Sequence, residues 1–144
     1  MNLQSPIYSI MVAPPYCRLL LEEGLTQSTP YHYVIIDGLA ELNTYAFDRD
    51  DYYAQADANV CYTNKDHKPL ILPAYTIMDL EKTLPDYCIC RCNGKYELSV
   101  EGTFPELEVV KEDRLPDALA LMVMQGIRKR VLRTENINER ITQL

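Results

Sequence analysis

Tryptophan is absent from this chain of 144 residues, and glycine, phenylalanine and histidine occur only five, two and two times. So few glycines leave no glycine-rich loop to cradle a phosphate group. Two histidines, His32 and His67, supply little for acid–base or metal chemistry. No apolar run approaches the roughly 20 residues of a membrane-spanning helix. The opening MNLQSPIYSI has neither the basic region nor the apolar core of a secretory signal. A cytoplasmic location, with no membrane association, is therefore expected, and the five cysteines are expected to be reduced.

What is present is a chain of single-domain size with 47% hydrophobic and 24% charged residues. Its formal charge of −7 is unevenly spread. Residues 1–60 carry two basic and eight acidic side chains, whereas residues 126–144 carry five and two. Nucleic-acid binding is disfavoured over most of the chain, and only the basic end, Arg128, Lys129, Arg130 and Arg133, offers a surface for phosphates. A helix end complementing its own dipole explains those four more simply.

The periodicities predict an α+β fold in which an antiparallel sheet packs one face on a long C-terminal helix, with two further short helices. Residues 7–12 read as a short buried strand or a β-like lead-in. Pro14-Pro15 opens a first helix, Gly24 closes it, and Leu25 is placed to fold back on the last turn. The runs YHYVII and LAELNTYAF flank Asp37-Gly38 as a hairpin. Val60–Tyr62 and Leu70–Leu72 read as short strands, with Pro69 and Pro73 excluding a long central strand. Thr76 and Asp79 form a capping box for a second helix carrying Ile77, Leu80 and Leu84, which Pro85 stops.

Asn93-Gly94 between DYCICRC and KYELSVE is the strongest hairpin signal in the chain. A two-residue turn there pairs Cys92 with Lys95 and Tyr87 with Val100. One face then carries Tyr87, Ile89, Tyr96, Leu98 and Val100, and the other Cys88, Cys90, Cys92, Lys95, Glu97 and Ser99. The apolar face is expected to be the core face. LEVVK (107–111) reads as a further strand, and Pro116 begins a helix over 116–132 with its stripe on Leu119, Met122, Val123, Ile127 and Val131. Residues 1–132 are expected to form the domain and 133–144 a helical tail, capped at Asn136 with Ile137, Ile141 and Leu144 as its stripe.

Three segments, CRLLLEEGLTQSTPYHYVI, PAYTIMDLEKTLP and LPDALALMVMQGIRKRVL, resemble a family of small uncharacterised proteins encoded by bacteriophages and prophages of Bacteroides-type gut bacteria. In that family a leucine-rich helix ending in glycine leads into an aromatic strand, and an acidic-alanine helix usually closes the chain. The resemblance implies a phage or prophage accessory protein and carries no catalytic residues. The acidic stretch at 45–59 and the tail beyond Leu132 depart from it.

Candidate chemistry is sparse. Same-face cysteines on a strand stand about 6.5–7 Å apart along the backbone, whereas a tetrahedral thiolate site brings sulfurs within about 4 Å, so Cys88, Cys90 and Cys92 are not expected to share one ion. One of them with Cys61 and His67 is the alternative ligand set. No motif selects a nucleophilic pair from Cys17 or Cys61 with His32 or His67. Asp48, Asp50 and Asp51 fail as a calcium loop, because Tyr53 stands where glycine is needed and Asn59 where a bidentate glutamate belongs. No cofactor, metal or catalytic residue is therefore assigned. The expected activity is non-enzymatic binding of a protein partner, such as a host factor, through Tyr45, Asp50, Asp51, Tyr52 and Tyr53 or through the face of Cys88, Cys90 and Cys92. Homodimerisation through that face, a small-ligand or metal-binding module, and a weak nucleic-acid binder acting through the basic helix end are the alternatives.

Overall fold

Helix starts in this fold are marked by prolines, a capping box and one long-range acceptor. The computed structural model describes residues 9–26, 29–36, 39–43, 70–100 and 104–142. Helix α1 (Pro14–Glu22) has Ala13 at its N-cap, a residue without a capping side chain. The acceptor comes instead from far along the chain, where Asp117 Oδ1 takes the Ala13 N–H at 2.8 Å. At the other end Gly24 has φ +104°, with Leu25 N–H bonded to Leu20 O and Gly24 N–H to Leu21 O. That Schellman pair folds the buried Leu25 back onto the helix as expected.

Strands β1 (His32–Ile36), β2 (Leu39–Asn43) and β3 (Leu70–Pro73) form an antiparallel sheet in the order β2-β1-β3. Ile36 pairs with Leu39, in the antiparallel arrangement expected of a hairpin. Strand β3 lies at the sheet edge, where Pro73 removes no donor the ladder needs. The expected strand at 60–62 falls outside the described residues, as do 7–8 of the lead-in. Met11 and Val12 are fully buried, and Met11 bridges to Thr76 as a single pair in place of a longer strand. Helix α2 (Ile77–Glu81) carries the expected capping box, Thr76 and Asp79 each accepting the other's backbone N–H.

The second sheet has the order β4 (Tyr87–Cys92), β5 (Lys95–Val100), β6 (Val110–Glu112). Asn93 (φ 54°) and Gly94 (φ 79°) make the turn, and the register is the expected one from Cys92↔Lys95 to Tyr87↔Val100. Strand β6 starts later than the expected 107–111. The Gln125 side chain donates to Glu108 O and accepts from Glu108 N–H, so this stretch of backbone is paired to the helix instead of the sheet.

Helix α3 (Leu115–Arg128) is the centre of the core, touching α1, α2, β5 and β6. Leu119, Met122 and Val123 are fully buried, and so are Ala118 and Ala120 on the flanks, so the buried face is wider than the main stripe. It stops before the expected residue 132. Val131 N–H bonds to Gly126 O and Arg130 N–H to Ile127 O, a second Schellman pair, with Arg130 at φ 61°. The chain returns close over Gly126, where a Cβ would lie 2.6 Å from Leu132 Cδ1 and that side chain would have to shift.

Helix α4 (Thr134–Thr142) begins two residues before the expected cap at Asn136. Its Ile137 and Ile141 join the core cluster with the rest of the chain. Asn138 accepts from Thr26 N–H at 2.7 Å and donates to Gly24 O at 3.0 Å, pinning the end of α1. The fold is thus α+β, with two antiparallel sheets where a single one was expected.

Candidate functional site

The hairpin β4–β5 brings an exposed isoleucine and three exposed cysteines onto one strand. Helix α3 lies over β5 and β6, so Leu98 is fully buried and Val110 nearly so. Strand β4 overhangs that support. Apart from half-buried Tyr87, every residue of β4 is exposed. The apolar face therefore corrects the expectation at Ile89, which is 40% exposed instead of core. Burial here is decided by the reach of α3 and not by the alternation of the strand.

Tyr87 anchors the base of β4 by donating its hydroxyl to Glu81 Oε1 at 2.7 Å. Desolvation first, then that hydrogen bond and the charge of Glu81, push its hydroxyl pKa up to about 12. Further along, the Arg91 guanidinium lies 5.0 Å from the Tyr96 ring centroid across the non-bonded pair. A charge in mid-strand blunts indiscriminate pairing at an edge.

The opposite face presents Cys88, Cys90 and Cys92, all exposed and none in a disulfide. Cys90 Sγ lies 3.8 Å from Glu97 Oε2, its cross-strand partner. Glu97 Oε1 in turn pairs with Lys111 Nζ at 3.4 Å on β6. The sulfurs of Cys90 and Cys92 and a carboxylate oxygen of Glu97 lie within 4.8 Å of one another. Local desolvation, then the hydrogen bond and charge of Cys92 and the presence of Glu97, raise the Cys90 pKa above the usual thiol value. The hairpin register places Glu97 on this face, and its pairing opposite Cys90 is the sequence signal that marks it.

Elsewhere the expected candidates do not converge. Tyr45, Asp50, Asp51, Tyr52 and Tyr53 lie outside the described residues, as do Cys61 and His67. Cys17 is fully buried and donates to Val12 O, and burial raises its thiol pKa far above the range of a nucleophile. Of the basic residues at the end of α3, Arg128 is held by Glu23 at 2.7 Å, and Lys129 donates to Glu106 O. Arg130 and Arg133 line an open groove of about 430 Å³ with Glu135 at its rim.

Sequence reasoning missed the polar junction beneath α1. Arg114 donates to Met11 O at 2.7 Å and to both Asp117 oxygens, while Tyr16 donates its hydroxyl to Glu112 Oε2 at 2.9 Å. Desolvation raises the Asp117 pKa, opposed by the Ala13 N–H and by Arg114. These hydrogen bonds tie α1, β6 and the start of α3 together, so the chemistry of the group is that of a structural clamp. No helix among the described residues is long and apolar enough to cross a membrane. No protein-family model matches the chain, and comparison with curated proteins and with solved structures finds no significant match.

Proposed function

We propose that this protein is a non-enzymatic binding module that engages a protein partner through the β4–β5 hairpin. The observation that supports this reading is the edge strand β4, exposed on both faces while its neighbour β5 is held against the core. A two-residue hairpin makes Cys92↔Lys95 a hydrogen-bonded pair, and so Cys90↔Glu97 and Cys88↔Ser99 as well. The amides of Tyr87, Ile89 and Arg91 therefore point away from β5. An edge of this kind offers main-chain donors and acceptors to an incoming strand, with Ile89 giving apolar contact on one side and the thiols lying on the other. The acidic tyrosine-bearing stretch with Tyr45, Asp50, Asp51, Tyr52 and Tyr53 is the second contact region in this reading. The phage or prophage setting, with a host protein as partner, and the cytoplasmic location rest on the sequence alone.

Affinity capture from a Bacteroides-type host lysate tests the reading with four baits: the wild-type chain, Ile89→Lys, Arg91→Glu and the double variant Tyr52→Ala/Tyr53→Ala. A saturable partner retained by wild type and lost with Ile89→Lys is the expected result. Absence of any saturable partner, or one retained equally by all four, contradicts it.

A further inference from the structure

The strand geometry that keeps three alternate cysteines apart does not keep two of them apart. Side chains on a strand lean along it, so adjacent same-face thiols can close the gap between their backbone positions. In this hairpin the sulfurs of Cys90 and Cys92 have done so, and a cross-strand carboxylate joins them. All three ligand atoms lie within 4.8 Å of one another. A tetrahedral zinc ion bound at about 2.3 Å to two thiolates holds the sulfurs roughly 3.8 Å apart. Cys90 Sγ to Glu97 Oε2 is already 3.8 Å. Closing the cluster then needs shifts of about 1 Å, within the reach of a side-chain rotation on an exposed strand.

We propose that Cys90, Cys92 and Glu97 form a binding site for a thiophilic divalent cation of the zinc class, with two sulfurs and one oxygen from a single hairpin and a fourth position open. The donor set selects the metal class: two thiolates favour zinc over magnesium or calcium, which take oxygen ligands. The two carboxylate oxygens divide the work. Oε2 faces Cys90, while Oε1 keeps Lys111 at 3.4 Å as an outer partner that holds the carboxylate in place. Binding exchanges the Cys90 and Cys92 Sγ–H bonds for two sulfur–metal bonds. Two protons pass to the buffer, the Glu97 carboxylate contributes only a lone pair, and no oxidation occurs. Cys88, opposite Ser99, stands outside the cluster. The site does not depend on the protein-binding reading, since all three ligands come from one chain.

The test is titration of the full-length, reduced, metal-free chain with Co²⁺, followed by the thiolate-to-cobalt charge-transfer band, and with Zn²⁺ against a chromophoric chelator. One equivalent per chain is expected. Cys90→Ser and Cys92→Ser should each weaken zinc binding by about 100-fold, and Glu97→Gln and Lys111→Ala by about 10-fold. Cys61→Ser should leave it unchanged, and circular dichroism checks that every variant is folded. Less than about 0.1 equivalent bound, one ion shared by two chains, zinc affinity unchanged by Cys90→Ser, or binding lost with Cys61→Ser would each overturn the site. So would an absorption spectrum lacking the sulfur band, which would place the metal on carboxylates only.

Discussion

Arg130 and Gly24 occupy the same position after their helices, one residue past the cap in a Schellman turn, yet only one is glycine. A side chain at φ 61° crowds the following carbonyl, and the left-handed conformation costs an L-residue about 1–2 kcal/mol. Glycine removes that cost but loses more entropy on folding. Arg130→Gly is therefore expected to stabilise the protein by about 0.5–1 kcal/mol, read as a higher denaturation midpoint with an unchanged slope. Asp117 shows the opposite balance. Its side chain is 6% exposed, and its pairing with Arg114 and the Ala13 N–H does not fully offset desolvation, because its pKa is raised. The folded state thus holds a proton there more readily than the unfolded chain does. This group's contribution to stability is fully present below the unfolded pKa and declines as pH rises through the folded one. Asp117→Asn lacks that titration, so the stability deficit of this variant relative to wild type should grow as pH falls from 7 toward 4. Paired denaturant curves across that range measure it, and a deficit that shrinks on acidification would show the pairing to outweigh the desolvation.

Helices and hairpins differ in how much of them can be read from sequence. The Asn93-Gly94 register, the Gly24 cap and the Thr76–Asp79 capping box are local, decided by residues within a turn of one another, and all three stand as read. The starts and ends that shifted were set by side-chain contacts and a turn that the periodicities do not encode. Gln125 draws the backbone at Glu108 to α3 and delays β6 to Val110. The Arg130 turn ends α3 early and starts α4 at Thr134. The cap of α1 is invisible locally, because its acceptor belongs to Asp117, 104 residues away. The cysteine face was legible as a face, whereas the approach of Cys90 to Cys92 depends on side-chain rotation that alternation does not encode. Helix α4 carries a prediction at this scale. Ile137 is 2% exposed within the common core, so Ile137→Ala should cost about 2–4 kcal/mol and lower the single unfolding midpoint of the whole domain. A separate early transition confined to α4, seen by hydrogen exchange during denaturation, would show that the helix is not part of the cooperative unit.

At the scale of the molecule the fold divides into a clamped part and an overhang. The clamp is α3 with α1, α2, β5 and β6 around it, tied at one end by Arg114 and Asp117 and at the other by Asn138 and the Arg128–Glu23 pair at 2.7 Å. The overhang is β4, fixed to the clamp by the ladder to β5 and by the Tyr87–Glu81 hydrogen bond. Three features meet on that one strand: outward main-chain groups, an exposed isoleucine and a thiol row. The functional proposal rests on its edge being open in the free protein, and residue-resolved amide exchange by NMR tests this directly. The amides of Cys88, Cys90 and Cys92, bonded to β5, should be protected, while those of Ile89 and Arg91 exchange near the rate of an unstructured peptide. Protection of Ile89 and Arg91 equal to that of Cys90 in the free monomer would mean that another part of the chain already occupies the edge, and would contradict the account.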